Sequence, residues 1–361
     1  MKKVTFNPFV LSSVLGETHS LDFPRLFLHD REDAVKFIHA YGYDLSLASD
    51  LKKVWTYHRN AIEILESELI LPEEKIPASL RNKEDMGDIT KLLLIASTIQ
   101  STALNKTDLT LQKWACAILR VMHVLIHLEN DLFTTFSDDI KYQILKPISQ
   151  HVYKIEDRLY LGQDEDKIEI ISYEEKSFKQ NNSAAVKLLA RHDLIAMTLL
   201  DRVGIRFITK NIVDIFRVIQ FLIEKNLISY PHVVSSLSKN SICPTPLFMK
   251  ALETSMSSNG KIDLEDLENK IKSELDKLNQ GANGINPFTS KDFKFLKFIT
   301  RQFLKINRGS DKTEFSFFYP FEVQILDKET YENNLKGPAS HVEYKNRQKQ
   351  AARLRVFGEG F

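Results

Sequence analysis

Asp201-Arg202-Val203-Gly204-Ile205-Arg206-Phe207-Ile208 is the stretch on which the reading of the fold turns. From Val203 onward it is an apolar run broken only by Gly204 and Arg206, with the length and branched side chains of a buried strand. An acidic residue opens it and a glycine follows three positions later. Immediately afterwards Ile212, Ile215, Phe216, Ile219 and Ile223 recur at helical spacing, so residues 211–225 predict an amphipathic helix. On the upstream side, Lys167-Ile168-Glu169-Ile170-Ile171-Ser172-Tyr173 alternates as a strand does, a polar turn follows, and residues 183–192 predict a helix. The local order is therefore strand, helix, strand, helix.

Further out the texture changes twice. Residues 231–287 carry Pro231, Pro244, Pro246 and Pro287, a serine-rich stretch, Gly281 and Gly284, and one charged amphipathic helix over 264–278. That composition reads as an insertion. Beyond it, 293–306 and 315–325 are strand-like, and 337–357 predicts a basic helix. Toward the N-terminus, Leu111, Trp114, Ala115, Ile118, Met122, Leu125 and Ile126 recur at helical spacing. Shorter patterns of the same kind run over 32–40, 51–71, 88–104 and 138–159, with almost no strand-like alternation. The expectation is an α+β protein. A helical domain over 1–165 precedes a domain over 166–361 built on a mixed β-sheet flanked by helices, with an insertion at about 231–287.

Composition bounds the function. The chain has 361 residues, 43% hydrophobic and 27% charged, enough for two domains with cores of their own. A formal net charge of +1 excludes recruitment of nucleic acid or an anionic membrane by the overall field, so phosphate binding must come from a local cluster. Cys116 and Cys243 lie far apart and form no metal-ligand or redox motif. The short apolar stretch from Phe9 to Leu15 is interrupted by Ser12 and Ser13 and does not make a secretory signal. No run approaches the ~20 apolar residues of a membrane span. The expectation is a cytoplasmic protein with no membrane partner.

Two acidic positions stand out chemically. Asp201 opens the apolar strand, and in Phe321-Glu322-Val323-Gln324-Ile325 the side chains of Glu322 and Gln324 share one strand face. If the two strands are neighbours, Asp201 and Glu322 could converge on one divalent cation; Mg²⁺ often takes only one or two protein carboxylates, with phosphate and water completing its shell. A strand-capping aspartate and a glutamate on a solvated face is the other reading of the same residues. His123 and His127, four apart on the long apolar helix, could share a metal but read more simply as core or surface histidines. Arg191-His192-Asp193 contains a His-Asp pair, but it falls within the strand-and-helix half of the chain and reads as incidental. Lys345, Arg347, Lys349, Arg353 and Arg355 form a basic run that suits a solvated helix face or a phosphate or RNA contact.

The pattern D-x-x-G-I-R at Asp201–Arg206, E-V-Q-I at Glu322–Ile325, and A-x-H-x-x-Y-K at Ala339–Lys345 resembles the synthetase domain of the RelA/SpoT family of alarmone synthetases. A K-x-x-x-S-x-x-x-K at Lys179, Ser183 and Lys187 stands upstream of Asp201 at the family's spacing. The resemblance covers roughly residues 166–357 and leaves the N-terminal half unmatched. It implies a nucleotidyltransferase-like fold and a pyrophosphokinase or nucleotidyl-transfer enzyme with ATP as donor. The acceptor would be a nucleotide, GTP or GDP, or a tRNA. By the same resemblance Asp201 and Glu322 are the catalytic carboxylates that hold Mg²⁺. Lys179 and Lys187 would hold the phosphates of the ATP donor, Gln324, His341 and Lys345 would lie on the same rim near the nucleotide, and Ser183, Arg206 and Tyr344 would be further nucleotide-binding positions. The sequence also departs from the family. Ser177 stands where the family has an arginine, and Leu326-Asp327 stands where it has Arg-Thr. The acceptor motif G-Y-R-S-L-H is reduced to Asp292-Phe293-Lys294-Phe295-Leu296-Lys297, in which Phe293 could stack on a base while Lys294 and Lys297 replace the arginine and histidine. These departures leave a second expectation: a nucleotide-binding regulatory or interaction protein that keeps the fold without the chemistry.

Overall fold

The computed structural model describes residues 7–15, 17–98, 106–129, 132–163, 167–176, 181–191, 200–257, 262–278, 294–308, 313–335 and 341–358. In chain order the first helices are α1 (Pro8–Val14), α2 (Arg31–Ala40), α3 (Ala48–Ile64), α4 (Ala78–Arg81), α5 (Lys83–Met86), α6 (Thr90–Ser97) and α7 (Lys106–Glu129). They are followed by α8 (Leu132–Ser149), α9 (Asn181–Ala190), α10 (Ile212–Glu224), α11 (Thr245–Ser255), α12 (Leu264–Leu278), α13 (Lys328–Asn334) and α14 (His341–Phe357). The strands are β1 (Val152–Ile155), β2 (Arg158–Leu161), β3 (Ile168–Lys176), β4 (Gly204–Thr209), β5 (Lys239–Asn240), β6 (Leu296–Arg308) and β7 (Thr313–Asp327). The protein is thus mixed α+β with one sheet. It divides into two compact units, one of Met1–Asp131, Gln180–Thr198 and Asn346–Phe361, the other of Leu132–Lys179 and Leu199–Lys345.

The first unit is helical and organised by α7. Trp114, Ala115, Ile118, Val121, Leu125 and Leu128 of that helix are buried, and it packs against α3, α6 and α9. By length and composition Asp108–Glu129 could cross a membrane, which corrects the expectation that no segment approaches a span. More than half of it is buried inside this unit, so its apolar character is used as core. Three of the basic residues of α14 that fall in this unit are taken up in ion pairs. Lys349 pairs with Glu68 at 2.7 Å, Arg353 with Glu74, and Arg355 with Asp22 at 2.6 Å. Arg353 also donates to the Leu69 carbonyl and lies over the Phe357 ring.

The second unit is a seven-stranded sheet in the order β1-β2-β3-β4-β7-β6-β5. Every neighbouring pair is antiparallel except β4 and β7, which run parallel. A parallel pair cannot be joined by a tight turn, so the chain must leave the sheet between them. It does so through α10, α11 and α12 before returning as the β6–β7 hairpin. Ile205, Phe207, Val323, Ile325, Val218 and Leu222 belong to one apolar core that joins the sheet to α10. Residues 231–287 contribute β5 at the sheet edge and the packed helices α11 and α12, with Leu267 and Ile271 in the same core. The carboxylate of Glu268 on α12 accepts from the backbone N–H groups of Ile212 and Val213, capping an α10 N-terminus whose own Asn211 side chain makes no cap bond.

Two stretches differ from the sequence expectation. The helical pattern read over 138–159 ends at Ser149, and β1 and β2 form a hairpin in its place, turned at Glu156 with φ of +53°. The polar turn expected after Tyr173 is instead the end of β3, which continues through Glu174, Glu175 and Lys176 because those residues pair with β4.

Candidate active site

The pairing of β4 with β7 sets the geometry. Gly204 lies opposite Glu322 and Arg206 opposite Gln324, and the Glu322 N–H donates to the Val203 carbonyl at 2.9 Å. On the outer side of β4, Lys176 faces Gly204 and Glu174 faces Arg206; on the outer side of β7, β6 sets Ile299 against Glu322 and Lys297 against Gln324. Since side chains alternate along a strand, these positions share one face of the sheet in two adjoining rows. One row is Lys176, Gly204, Glu322 and Ile299; the next is Glu174, Arg206, Gln324 and Lys297. The opposite face carries the buried apolar residues Ile205, Phe207, Val323, Ile325 and Phe298.

Gly204 makes the first row possible. A Cβ at this position would sit 3.1 Å from the Glu322 carbonyl oxygen, 3.1 Å from Cδ of Lys176 and 3.4 Å from Cβ of Glu322. The missing side chain lets Lys176 reach across β4 and bond Oε1 of Glu322 two strands away. Lys297 approaches diagonally from β6 and holds Oε2 at 3.0 Å. In the second row Arg206 donates to Gln324 at 3.0 Å and to Glu174 at 3.1 Å.

Electrostatics follow from this packing. Glu322 is buried, which on its own pushes a carboxyl pKa up. Lys176 and Lys297 outweigh that, and the group is held below its ordinary range even though the charge on Asp201 opposes them. Asp201, half-buried in the turn before β4, is therefore close enough for its charge to act on Glu322. The cluster sets Lys176, Lys297 and Arg206 against Glu174, Glu322 and Asp201, and the buried Arg202 follows Asp201 directly, so there is no excess negative charge to draw in a bare cation. It does have two ammonium groups that can exchange a carboxylate for phosphate oxygens. Among the described residues, no group of three or more His, Cys, Asp or Glu is placed to hold a metal ion by protein ligands alone.

The other residues singled out from the sequence are distributed as follows. Lys294, exposed just before β6, is fixed through its backbone, which exchanges hydrogen bonds with the Asn334 side chain. Ser183 is exposed and Lys187 half-buried on α9, which belongs to the first unit, whereas Glu322 belongs to the second. His341, Tyr344 and Lys345 lie at the start of α14; Tyr344 is half-buried and Lys345 exposed. Lys179 and Phe293 lie outside the described residues. Sequence reading passed over Lys176 and Glu174. The signal was present as i, i+2 spacing, but three charged residues in succession read as a turn.

No family model matches this sequence, and no curated protein matches it. Among solved structures, the chain is similar to the crystal structure of the small alarmone synthetase 1 from Bacillus subtilis, with a TM-score of 0.27 and 12% sequence identity. The match covers 62% of this chain and 86% of that one.

Proposed function

We propose that the second unit carries a nucleotidyltransferase-like site that moves a pyrophosphoryl or nucleotidyl group from ATP to a nucleotide or RNA acceptor, with Mg²⁺ as cofactor. What supports this reading is that Glu322, opposite the first residue of β4, feels the charge of Asp201 in the turn before that strand and has Lys176 and Lys297 on its two oxygens. The motif resemblance described above supplies the reaction class. Asp201 and Glu322 would hold the ion. Because the cluster carries no excess negative charge, the ion would fit when a polyphosphate brings negative charge with it, as in a magnesium–nucleotide complex. Bound there, Mg²⁺ would neutralise the triphosphate and favour in-line displacement. Lys176 and Lys297 would turn from Glu322 to phosphate oxygens, a task that suits compact ammonium charges. Arg206, braced by Glu174 and Gln324, would keep a fixed donor at the edge of the nucleotide. The contacts implied for Lys179, Ser183, Lys187, Phe293, Lys294, His341, Tyr344 and Lys345 belong to the same proposal, as does a cytoplasmic location.

One observation favours a second reading. Both carboxylate oxygens of Glu322 are already engaged by lysines, and a site closed in this way suits a protein that binds nucleotide without transferring from it. Incubation of the protein with ATP labelled on its terminal phosphates, Mg²⁺ and a panel of nucleotides and RNAs separates the two. Pyrophosphoryl transfer keeps the β–γ linkage on the acceptor and releases AMP; nucleotidyl transfer releases pyrophosphate. The proposal expects one of these products, and Asp201→Asn or Glu322→Gln should reduce it by about 100-fold or more while the fold persists. No product with any acceptor, or full activity in both variants, would sink the enzyme reading.

A further inference from the structure

A cavity in the helical first unit has no part in the transferase reading. It has a volume of about 240 Å³, larger than the ~150 Å³ apolar cavity that takes up benzene. Its walls are mostly apolar, including Leu21, Phe37, Ile38, Ile89, Leu93 and Met122. Set among them are Arg25 and Arg120, with no aspartate or glutamate in the lining. Arg120 gives its described hydrogen bonds to backbone carbonyls, those of Leu21, Phe23 and Val356. Arg25 likewise bonds the carbonyls of Leu26 and Ser97 and lies over the Phe27 ring. The nearby carboxylate that acts on Arg120, Asp22, is engaged by Arg355 at 2.6 Å. The cavity therefore holds two guanidinium groups whose acceptors are neutral, and a guanidinium has five N–H donors in a fork that matches a carboxylate.

Tyr41 and His123, also in the lining, add a neutral donor. The Tyr41 hydroxyl and Nδ1 of His123 are 2.8 Å apart. Burial, with His127, His19 and Arg355 nearby, holds the His123 pKa down to about 4, so the ring is uncharged near neutral pH. Whichever tautomer is present, one N–H or O–H of the pair is used in their mutual bond and one remains to donate.

Apolar walls, unbalanced positive charge and a spare neutral donor describe a pocket for a molecule with an apolar body and one anionic head. We propose that this cavity binds a small amphipathic monocarboxylate, its chain against the apolar wall and its carboxylate on Arg120 and Arg25. An uncharged molecule of the same shape would leave the guanidinium groups without the acceptor they match. A dicarboxylate would bring a second charge into the apolar walls.

The test is calorimetric titration of the full chain with octanoate and, separately, with 1-octanol. Octanoate should bind, and octanol should bind about tenfold or more weakly, the loss expected for one charge-assisted hydrogen bond. Arg25→Gln should weaken octanoate without changing octanol. Leu119→Trp, which adds volume at a half-buried lining position, should abolish binding of both. Arg120→Gln is a poorer test, because Arg120 also ties residues 21–23 and Val356 to α7 through their carbonyls. Absence of octanoate binding, equal binding of acid and alcohol, or wild-type binding by the Leu119→Trp protein would each overturn the proposal.

Discussion

Replacing Lys176 with methionine tests how Glu322 is held. The Glu322 side chain is 5% exposed, while Lys176 and Lys297 are 24% and 32% exposed. Breaking a fully buried ion pair costs about 3–5 kcal/mol, chiefly by leaving one charge unpaired. Here water still reaches both lysines, and Lys297 remains on Glu322 after Lys176 is removed. The coupling between Lys176 and Glu322 in a double-mutant cycle with Glu322→Gln should therefore be about 1–2 kcal/mol at pH 7. Both tryptophans, Trp55 and Trp114, lie in the first unit, so their fluorescence does not report on the sheet. Native-state hydrogen exchange at the amides of Ile205, Phe207, Val323 and Ile325 does. The sign of the pH dependence follows from the lowered pKa of Glu322. A carboxylate with a depressed folded-state pKa contributes stability that is present above its ordinary value of 4.5 and lost as pH falls through the folded-state value. The coupling should be constant from pH 7 down to about 5 and shrink on further acidification. A coupling near zero at pH 7, or one that persists unchanged once Glu322 is protonated, would refute the reasoning.

Gly204→Val should cost about 1–3 kcal/mol, because its Cβ meets a backbone carbonyl that β4–β7 pairing fixes; exchange at Val323 would register it. The same change should push Lys176 off Glu322 and raise the Glu322 pKa, visible as a shift in its carboxyl NMR titration. Glu268→Ala should lose about 1 kcal/mol by uncapping α10, with faster exchange confined to Ile212 and Val213 and their immediate surroundings. Arg353→Ala should destabilise the first unit by about 1–2 kcal/mol through loss of Glu74 and the Phe357 contact. Trp114 packs edge-on against Phe357 at 5.1 Å, so its fluorescence reports that change directly.

What could be read from the sequence was what a strand or helix writes locally. β4 is buried on both faces and appears as an apolar run; α10 and α12 show their period without help from elsewhere. The β1–β2 hairpin was hidden because its turn places Glu156 at positive φ without the Asn-Gly or Asp-Gly pair that usually marks such a turn. β5 is two residues long and has no period to detect. Lys176 was missed for a different reason. Glu174-Glu175-Lys176 looks like solvated chain, and only register shows that Lys176 stands opposite a glycine with Glu322 beyond it. Cross-strand register depends on partners more than a hundred residues away, as the separation of Lys176 from Glu322 illustrates, and no local pattern encodes it. The ion pairs that tie Arg353 and Arg355 to Glu74 and Asp22 are hidden in the same way, since a run of basic residues reads as solvated until its partners are known.

The most direct measurement of the central claim is calorimetric titration of the protein with ATP in the presence of Mg²⁺ and again with the metal chelated. Binding should depend on Mg²⁺, because under the proposal the cluster around Glu322 would take the ion together with the nucleotide, and Glu322→Gln should abolish that dependence. ATP binding of equal strength with and without Mg²⁺, unchanged by Glu322→Gln, would contradict it.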